Sequence, residues 1–204
     1  MRNKRFFTVL SVFFLFVSFV SEAKLYGQTA KTVSYTIEPI LTNVQVVSAR
    51  ISSMYGVDLQ VVESYVQAAV DLERRTGIAA PIVIAVAIHE SSFNSYLFTK
   101  SGNPFGIKAS QPWDGPTFSK RHDGKDTKFR VYSSVDEAIL DFGNFIKSRP
   151  WFADALACPM DDYACVIEGL KKSDAQPGYS LNPDWGENVL GVIEKVGLKT
   201  LVNR

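Results

Sequence analysis

The stretch PIVIAVAIHESSFNSYLFTKSGNPFGIKA, residues 81–109, decides the fold because it places one carboxylate at the end of an apolar helix and then opens the backbone beside it. Pro81 suits the first turn of a helix, where its missing N–H would make no intrahelical bond. Residues 82–88 are apolar on every side, which is typical of a buried helix. We therefore expect Glu90 to lie in apolar surroundings, which raise the pKa of a carboxyl group and suit a general acid near neutral pH.

A role for Glu90 as a cap or a salt-bridge partner in the core is the alternative on this helix alone, and the later motifs decide between the two. In chain order they are Glu-Ser-Ser-Phe at residues 90–93, Asn-Pro-Phe-Gly-Ile-Lys-Ala at 103–109, Trp113, Phe-Arg-Val-Tyr-Ser-Ser at 129–134 and Tyr-Ser-Leu-Asn-Pro at 179–183. This series resembles the bacterial peptidoglycan N-acetylglucosaminidases of glycoside hydrolase family 73, the flagellar-muramidase type. The resemblance extends over roughly residues 58–198, and Pro104 replaces the Leu of the family's second motif.

The resemblance implies a lysozyme-like fold. The hydrophobic periodicity also predicts an α+β domain that is mostly α, with one β-hairpin. The resemblance further implies an exported enzyme that hydrolyses the β-1,4 bond following N-acetylglucosamine in peptidoglycan, with Glu90 as the general acid. Its partner is then the glycan strand, and no cofactor is expected.

Helix boundaries are marked by residues that commonly cap helices. Asp58 and Gly77 delimit an amphipathic helix whose apolar residues share one face. The capping-box pattern at residues 134–137 predicts a second amphipathic helix that ends before the next proline. Asp162 and Asn182 are expected to start the last two helices.

A β-hairpin is predicted between these helical segments. Residues 117–122 and 125–132 flank the Asp-Gly pair at 123–124, which favours a tight turn. Alternation in the second strand predicts a packed face that contains Phe129 and a polar face that contains Arg130.

The hairpin is also where the resemblance implies a second catalytic acid. Lys120 stands at the position where the family usually has Glu, so the nearest carboxylates, Asp126 and then Asp123, become the candidates. Both have structural alternatives, since Asp123 is the expected turn residue and Asp126 faces Arg121 across the hairpin. The other possibility is that the N-acetyl group of the substrate assists, and Glu90 performs all the proton transfer.

Tyr179 matches the Tyr of the family's Tyr-Ala-Thr-Asp-Pro motif, so the resemblance assigns it to positioning or stabilising the reacting sugar. Considered without the resemblance, it is equally a packed loop tyrosine. Asn182 stands where the family has Asp, and both residue types cap helices, so we interpret this change as structural.

Bare backbone and flat aromatic faces are suited to contacts with sugar rings and amides. The candidates for substrate binding on this basis and from the motifs are Phe105, Gly106, Trp113, Tyr132 and Asn182. A core position is the alternative for Trp113 and Tyr132, and is the favoured role for Phe105. We assign Trp151 and Trp185 to packing.

The N-terminus has the pattern of a secretory signal peptide over residues 1–23, with basic residues before an apolar run and cleavage expected after Ala23. Residues 24–57 show no clear helical period and are interpreted as an N-terminal arm, either a tether or a packed segment. Residues 58–204 then form the catalytic domain, and we expect a secreted or periplasmic monomer without stable membrane insertion after cleavage.

Charge excludes one class of partner. Removing three basic residues and one acidic residue with the signal peptide, from totals of 22 and 21, leaves 19 Lys and Arg against 20 Asp and Glu. This balance gives no reason to expect a nucleic-acid partner. A metal site is not expected either, since His89 lacks the second His of a zinc-protease helix and His122 is the only other histidine.

Cys158 and Cys165 are candidates for a disulfide, as expected in an exported protein. On one continuous helix they would be about 10 Å apart and unable to bridge. Pro159 indicates instead that Cys158 lies in a loop before the helix of Cys165. Two buried thiols are the alternative.

Two rival functions are compatible with the motifs. A lytic transglycosylase also carries Glu-Ser-x-Phe and works with a single Glu, although its usual Gly-Leu-Met-Gln segment is replaced here by Phe-Gly-Ile-Lys at residues 105–108. A non-catalytic wall-binding module is favoured by Lys120 and Asn182, which replace acidic residues of the family pattern.

Overall fold

The computed structural model describes residues 41–110, 112–122, 124–171 and 177–202. In these ranges the chain forms eight α-helices, two 3₁₀ segments and one two-stranded antiparallel sheet, which confirms the mostly helical α+β prediction. The elements are α1 (Asn43–Tyr55), α2 (Leu59–Thr76), α3 (Ala80–Ser91), α4 (Tyr96–Ser101), β1 (Thr117–His122), β2 (Lys125–Arg130), α5 (Val135–Lys147), α6 (Ala153–Ala157), α7 (Tyr163–Leu170) and α8 (Trp185–Val196), with 3₁₀ segments at Pro150–Phe152 and Leu198–Val202.

Helix α3 forms the centre of the core, as its apolar sequence predicts. Every residue from Ala80 to Ile88 is buried, and the helix packs against α2, α8 and the last 3₁₀ segment. Its first turn lacks a side-chain cap of its own, and the carboxylate of Glu73 accepts the backbone N–H of Ala80 at 2.8 Å instead. The remaining helices thus surround one apolar rod whose C-terminal end carries Glu90.

The predicted helix boundaries are largely confirmed. Asp58 accepts the backbone N–H groups of the first turn of α2, and Gly77 ends that helix in the left-handed conformation. Ser134 caps α5, and Asp162 caps α7. The predicted start of α8 is wrong by a short distance, because Asn182 lies in a preceding turn and the helix begins at Trp185.

Helix α1 lies in the segment interpreted as an N-terminal arm, residues 24–57, and this part of the segment is packed and helical although its sequence shows no clear helical period. Thr42 and Gln45 form a capping box, and Val47 and Ile51 are completely buried in the common core. The buried stripe is narrow, since most of the other residues of this helix are at least partly exposed, and the periodicity in the sequence is correspondingly weak. The predicted signal peptide and the first part of the arm lie outside the described residues.

The hairpin has the predicted register, with Phe118 opposite Phe129 and Arg121 opposite Asp126, and Gly124 occupies the turn with φ of +74°. The prediction of a polar face on β2 is wrong at its end, where Arg130 is buried beside Phe129. Arg130 is buried because the carboxylate of Asp141 on α5 binds its guanidinium, with both oxygens at 2.8 Å.

Cys158 and Cys165 are joined by a disulfide, with their Cα atoms 5.8 Å apart. Cys158 directly follows α6, and Cys165 lies in the first turn of α7. The bond therefore links two short helices that pack against each other, and Gly169 allows their close approach, since a Cβ there would lie 2.4 Å from the backbone nitrogen of Ala155.

None of the helices in the described part of the chain combines the length with the apolar character that a membrane span requires.

Candidate active site

Glu90 lies at the last turn of α3, where the backbone changes direction abruptly. Ser92 and Phe93 follow with φ of +48° and +53°, a conformation that non-glycine residues rarely adopt. The buried hydroxyl of Ser91 stabilises this turn, because it donates to the carbonyl of Ala87 at 2.8 Å and accepts the N–H of Phe93 at 3.1 Å. The helix therefore ends directly after Glu90, and the following residues do not cover its carboxylate.

The carboxylate of Glu90 is accessible to solvent along one side and enclosed by protein on the other. This partial burial removes hydrating water and raises the pKa of Glu90. Two weaker effects oppose this shift and lower the pKa of Glu90: the hydrogen bond from Trp185 and the nearby charge of His89. Desolvation is the largest of these effects, so the net result is a pKa above the ordinary value of a glutamate.

Trp185 is the principal residue of this site that the sequence analysis missed. It was assigned to packing, and its side chain is indeed buried, with 1% exposed. Its indole N–H nevertheless donates to Oε1 of Glu90 at 2.9 Å. The only signal in the sequence is a general one, that a buried tryptophan needs an acceptor for its N–H.

Tyr179 stacks on Trp185, with ring centroids 5.1 Å apart and an interplanar angle of 25°. Its hydroxyl donates to the backbone carbonyl of Phe105 at 2.8 Å. Burial raises the pKa of the Tyr179 hydroxyl, and the adjacent charge of Glu90 raises it further. Tyr179 therefore lies at the site, as the sequence motif predicts, and its hydroxyl is bonded to the protein backbone.

Asn103 organises the loop that faces Glu90. Its side-chain N–H groups donate to the carbonyls of Ile107 and Arg130, both at 3.0 Å. Its carbonyl oxygen accepts the backbone N–H groups of Phe105 and Ile107, both at 3.2 Å. Because Asn103 is only 1% exposed, all these bonds are shielded from water. Asn103, the first residue of the Asn-Pro-Phe-Gly-Ile-Lys motif, is thus a structural hub, since its side chain bonds both to its own loop and to β2.

Gly106 lies in this loop with φ of +64°, and a Cβ at this position would lie 3.7 Å from Oε2 of Glu90. The structure therefore places this candidate beside the acid. Phe105 is different, because its side chain is buried and stacks on Phe142 with centroids 4.3 Å apart. The ring of Phe105 thus lies in the core, the role that its sequence context favours over sugar binding.

Tyr132 is also a core residue rather than a groove residue. It is 5% exposed, and its hydroxyl donates to Asp141 at 2.6 Å. Trp113 is half-buried, meets the Tyr132 ring edge-on at 5.9 Å and lies 4.7 Å from the guanidinium of Arg130. The indole of Trp113 thus covers a buried cation and keeps some exposed surface.

Of the two candidate second acids, the structure describes only Asp126. Asp126 is exposed on β2, opposite Arg121, and no hydrogen bond or ion pair among the described residues joins it to Glu90. Asp123 lies outside the described residues.

Asn182 is exposed, and its side chain accepts the backbone N–H of Asp184 within its own turn at 3.0 Å. Where the structure describes the chain, no cluster of three His, Cys, Asp or Glu side chains is arranged to hold a metal ion.

Comparisons with known proteins agree with this geometry. A family model named Glucosaminidase, described as mannosyl-glycoprotein endo-beta-N-acetylglucosaminidase, matches residues 66–198. Peptidoglycan hydrolase FlgJ of Salmonella typhimurium is 25% identical over 135 residues, covering 60% of this chain and 41% of the relative. FlgJ of Pseudomonas aeruginosa is 24% identical over 161 residues, covering 72% of this chain and 39% of the relative. This chain spans about two fifths of the length of these curated relatives.

Solved structures of the same fold include a peptidoglycan hydrolase from Sphingomonas sp. A1, with a TM-score of 0.56 at 21% identity, which covers 68% of this chain and 92% of that one. The glycoside hydrolase domain of Salmonella typhimurium FlgJ superposes with a TM-score of 0.54 at 21% identity, covering 75% and 90% of the two chains. The family match covers more than half of the sequence and includes the loop around Glu90. The chain therefore belongs to the glucosaminidase family of glycoside hydrolases.

Proposed function

We propose that this protein is an exported peptidoglycan hydrolase that cleaves the β-1,4 bond after N-acetylglucosamine, with Glu90 as the general acid. The observation that carries the proposal is the state of the Glu90 carboxyl: its pKa is raised by burial, it is bonded by Trp185, and it opens to solvent beside Gly106. A carboxyl that keeps its proton near neutral pH is the group that protonates a glycosidic oxygen.

The cleavage step requires protonation of the leaving oxygen as the C–O bond breaks and positive charge develops on the sugar. Glu90 supplies the proton and becomes a carboxylate. The indole N–H of Trp185 then stabilises the new negative charge, because a hydrogen bond to an ionised acceptor is stronger than one to a neutral acceptor. Water then adds to the sugar carbon, and the proton that it releases returns to the Glu90 carboxylate.

Stabilisation of the sugar cation is assigned in this proposal to the substrate's own N-acetyl group. The support is Lys120, which stands at the hairpin position where the family usually has Glu. Substrate assistance needs a single protein carboxyl for proton transfer. If a hairpin aspartate instead supplies the second acid, its removal will abolish turnover.

The choice of peptidoglycan as substrate is supported by the names of the relatives, which are peptidoglycan hydrolases, and by the family match. Export is supported by the signal-peptide pattern at residues 1–23. N-terminal sequencing of the protein recovered outside the cytoplasm tests export directly, with a new N-terminus after Ala23 as the expected result.

The deciding experiment is mass spectrometry of the fragments that the full chain releases from purified peptidoglycan, beside Glu90→Gln and the control Glu63→Gln. Glu63 lies on α2 and makes no hydrogen bond to the described site. We expect fragments with reducing N-acetylglucosamine ends, a loss of about 10²- to 10⁴-fold in Glu90→Gln, and unchanged release in the control. Anhydro ends would identify a lytic transglycosylase, and binding without release would identify a wall-binding module.

A further inference from the structure

We propose that Trp185 is a positioning residue that determines which oxygen of Glu90 delivers the proton: the indole N–H occupies Oε1, and the acidic proton is carried by Oε2, beside Gly106. The delivery step rests on the proposed function. The positioning itself concerns the protein alone and is tested separately.

The assignment follows from the chemistry of the donor. An indole nitrogen donates one hydrogen bond and accepts none, so the oxygen that it contacts must present a lone pair. Trp185 contacts Oε1 of Glu90 at 2.9 Å. In a neutral carboxyl group the better acceptor is the carbonyl oxygen, so the hydroxyl is the other oxygen, Oε2. The hydrogen bond thereby distinguishes two otherwise equivalent atoms.

Burial and two ring contacts prevent the indole from turning away from the acid. Trp185 is buried, and the ring of Tyr179 covers it in a near-parallel stack. Tyr179 is itself fixed through its hydroxyl to the carbonyl of Phe105. The ring of His89 also approaches Trp185 edge-on, with centroids 6.5 Å apart. The donor is therefore held in place before any substrate binds.

Oε2 faces the part of the site that side chains leave open. A Cβ built on Gly106 would lie 3.7 Å from this atom, the closest described contact of that position. Because Gly106 carries no side chain, a glycosidic oxygen has room to approach Oε2. The bond from Trp185 and the open space at Gly106 thus select the same oxygen for proton delivery.

Two titratable groups act electrostatically on Glu90 among the described residues. His89 precedes it on α3 and lowers the pKa of Glu90, and Tyr179, in the segment before α8, has its own hydroxyl pKa raised by the Glu90 charge. Neither gives a hydrogen bond to the carboxylate within the described chain. Any change caused by removing only the indole N–H therefore reports the Trp185 bond.

The experiment removes that N–H in two ways in the full chain. Trp185→Phe keeps an aromatic ring, and incorporation of benzothienylalanine at position 185 keeps the shape of the indole while sulfur replaces the N–H. Trp151→Phe is the control, since Trp151 is half-buried next to Phe152 and Arg149, away from the acid. NMR titration with ¹³C-carboxyl glutamate follows Glu90, whose signal is identified by its disappearance in Glu90→Gln.

The lost hydrogen bond favoured the carboxylate, so we expect the pKa of Glu90 to rise in both variants and to stay constant in the control. The alkaline limb of the kcat/KM profile should move to higher pH, and kcat should fall about tenfold or more, because the carboxyl is no longer held in one rotamer. An unchanged Glu90 titration with benzothienylalanine would overturn the positioning role. If the wild-type chain releases no fragments, the proposed function fails, whereas the titration still decides the role of Trp185.

Discussion

The two sides of the site are built in different ways. The tethered side consists of residues 103–107, Tyr179 and Trp185. Two long-range hydrogen bonds hold it: Tyr179 bonds to Phe105, 74 positions away in sequence, and Trp185 bonds to Glu90, 95 positions away. The hairpin side consists of β1 and β2, which bond mainly to each other, and residues 119–122 of β1 are exposed. The two sides meet only at the base of the described hairpin, where Lys108 pairs with Phe129 in an isolated bridge. There the N–H of Arg130 donates to the carbonyl of Ile107, and the side chain of Asn103 donates to the carbonyl of Arg130, both at 3.0 Å.

This difference indicates which residues fix the geometry around Glu90. Catalysis by a positioned acid requires a fixed geometry, which the tethered side provides through buried hydrogen bonds around Glu90. A two-stranded hairpin has little core of its own, and only its base residues Phe129 and Arg130 are buried. We therefore expect substitutions on the tethered side to have large effects and substitutions on the hairpin to have small ones.

The largest effect is expected from Asn103→Ala. The substitution removes the side-chain partner of two backbone N–H groups and of the Arg130 carbonyl in a buried loop, whereas the Ile107 carbonyl still accepts the N–H of Arg130. We expect a cost of about 3 kcal/mol in the free energy of unfolding. Urea unfolding measures this cost. The control is Asn94→Ala, whose exposed side chain makes one bond of 3.4 Å and should change stability by less than about 0.5 kcal/mol. Equal stabilities of the two variants would contradict the role of Asn103 as a hub.

The next largest effect is expected from Gly106→Ala, compared with Gly124→Ala on the hairpin side. The comparison separates a loss of stability caused by backbone strain from a loss of catalytic activity. Gly106 and Gly124 have φ of +64° and +74°, so an alanine at either position should cost about 1 kcal/mol in stability. A methyl group at position 106 lies next to Oε2 of Glu90, whereas one at position 124 has no described atom within 4 Å. We expect activity to fall about tenfold or more in Gly106→Ala alone. Equal activity in the two variants would show that the space beside Oε2 is not used.

The sequence predicted the elements that depend on local signals. Helices α2 and α5 follow from caps and from the spacing of apolar residues, and the hairpin follows from its Asp-Gly turn. Helix α3 follows from Pro81 and the continuous apolar run after it. The position of Glu90 at the end of a buried helix is predicted from the continuous apolar run that precedes it. In these places the local preference and the final structure coincide.

The missed features depend on partners that are distant in sequence. Trp185 joins the site only because α8 packs against α3, and Arg130 is buried only because α5 presents Asp141 to it. Alternation along β2 could not reveal this, since it treats every charged residue as solvent-exposed. A distant partner also explains why Tyr132 takes its core alternative, because its hydroxyl is satisfied by Asp141 inside the core.

A smaller effect is expected on the stability of Glu90→Gln as a function of pH. The folded state raises the pKa of Glu90, so folding favours the protonated form, and this contribution is lost as the pH rises through the folded-state pKa. Glutamine removes the penalty, so Glu90→Gln should unfold at a higher Tm than the wild type at pH 8 and at nearly the same Tm below about pH 4. Thermal unfolding at both pH values tests this. A Tm difference that is constant with pH would contradict it.

The smallest effect is expected on the hairpin side, from Asp126→Asn. Asp126 is exposed and pairs with Arg121 in the strand register, and no described hydrogen bond connects it to the acid. Because a surface pair of this kind contributes little, stability should change by less than about 1 kcal/mol, and kcat/KM on peptidoglycan should stay within about threefold of the wild type. A loss as large as that of Glu90→Gln would mean that the hairpin supplies the second acid during turnover. The exposed strands would then be part of the catalytic machinery, and the contrast between the two sides would apply only to the protein without substrate.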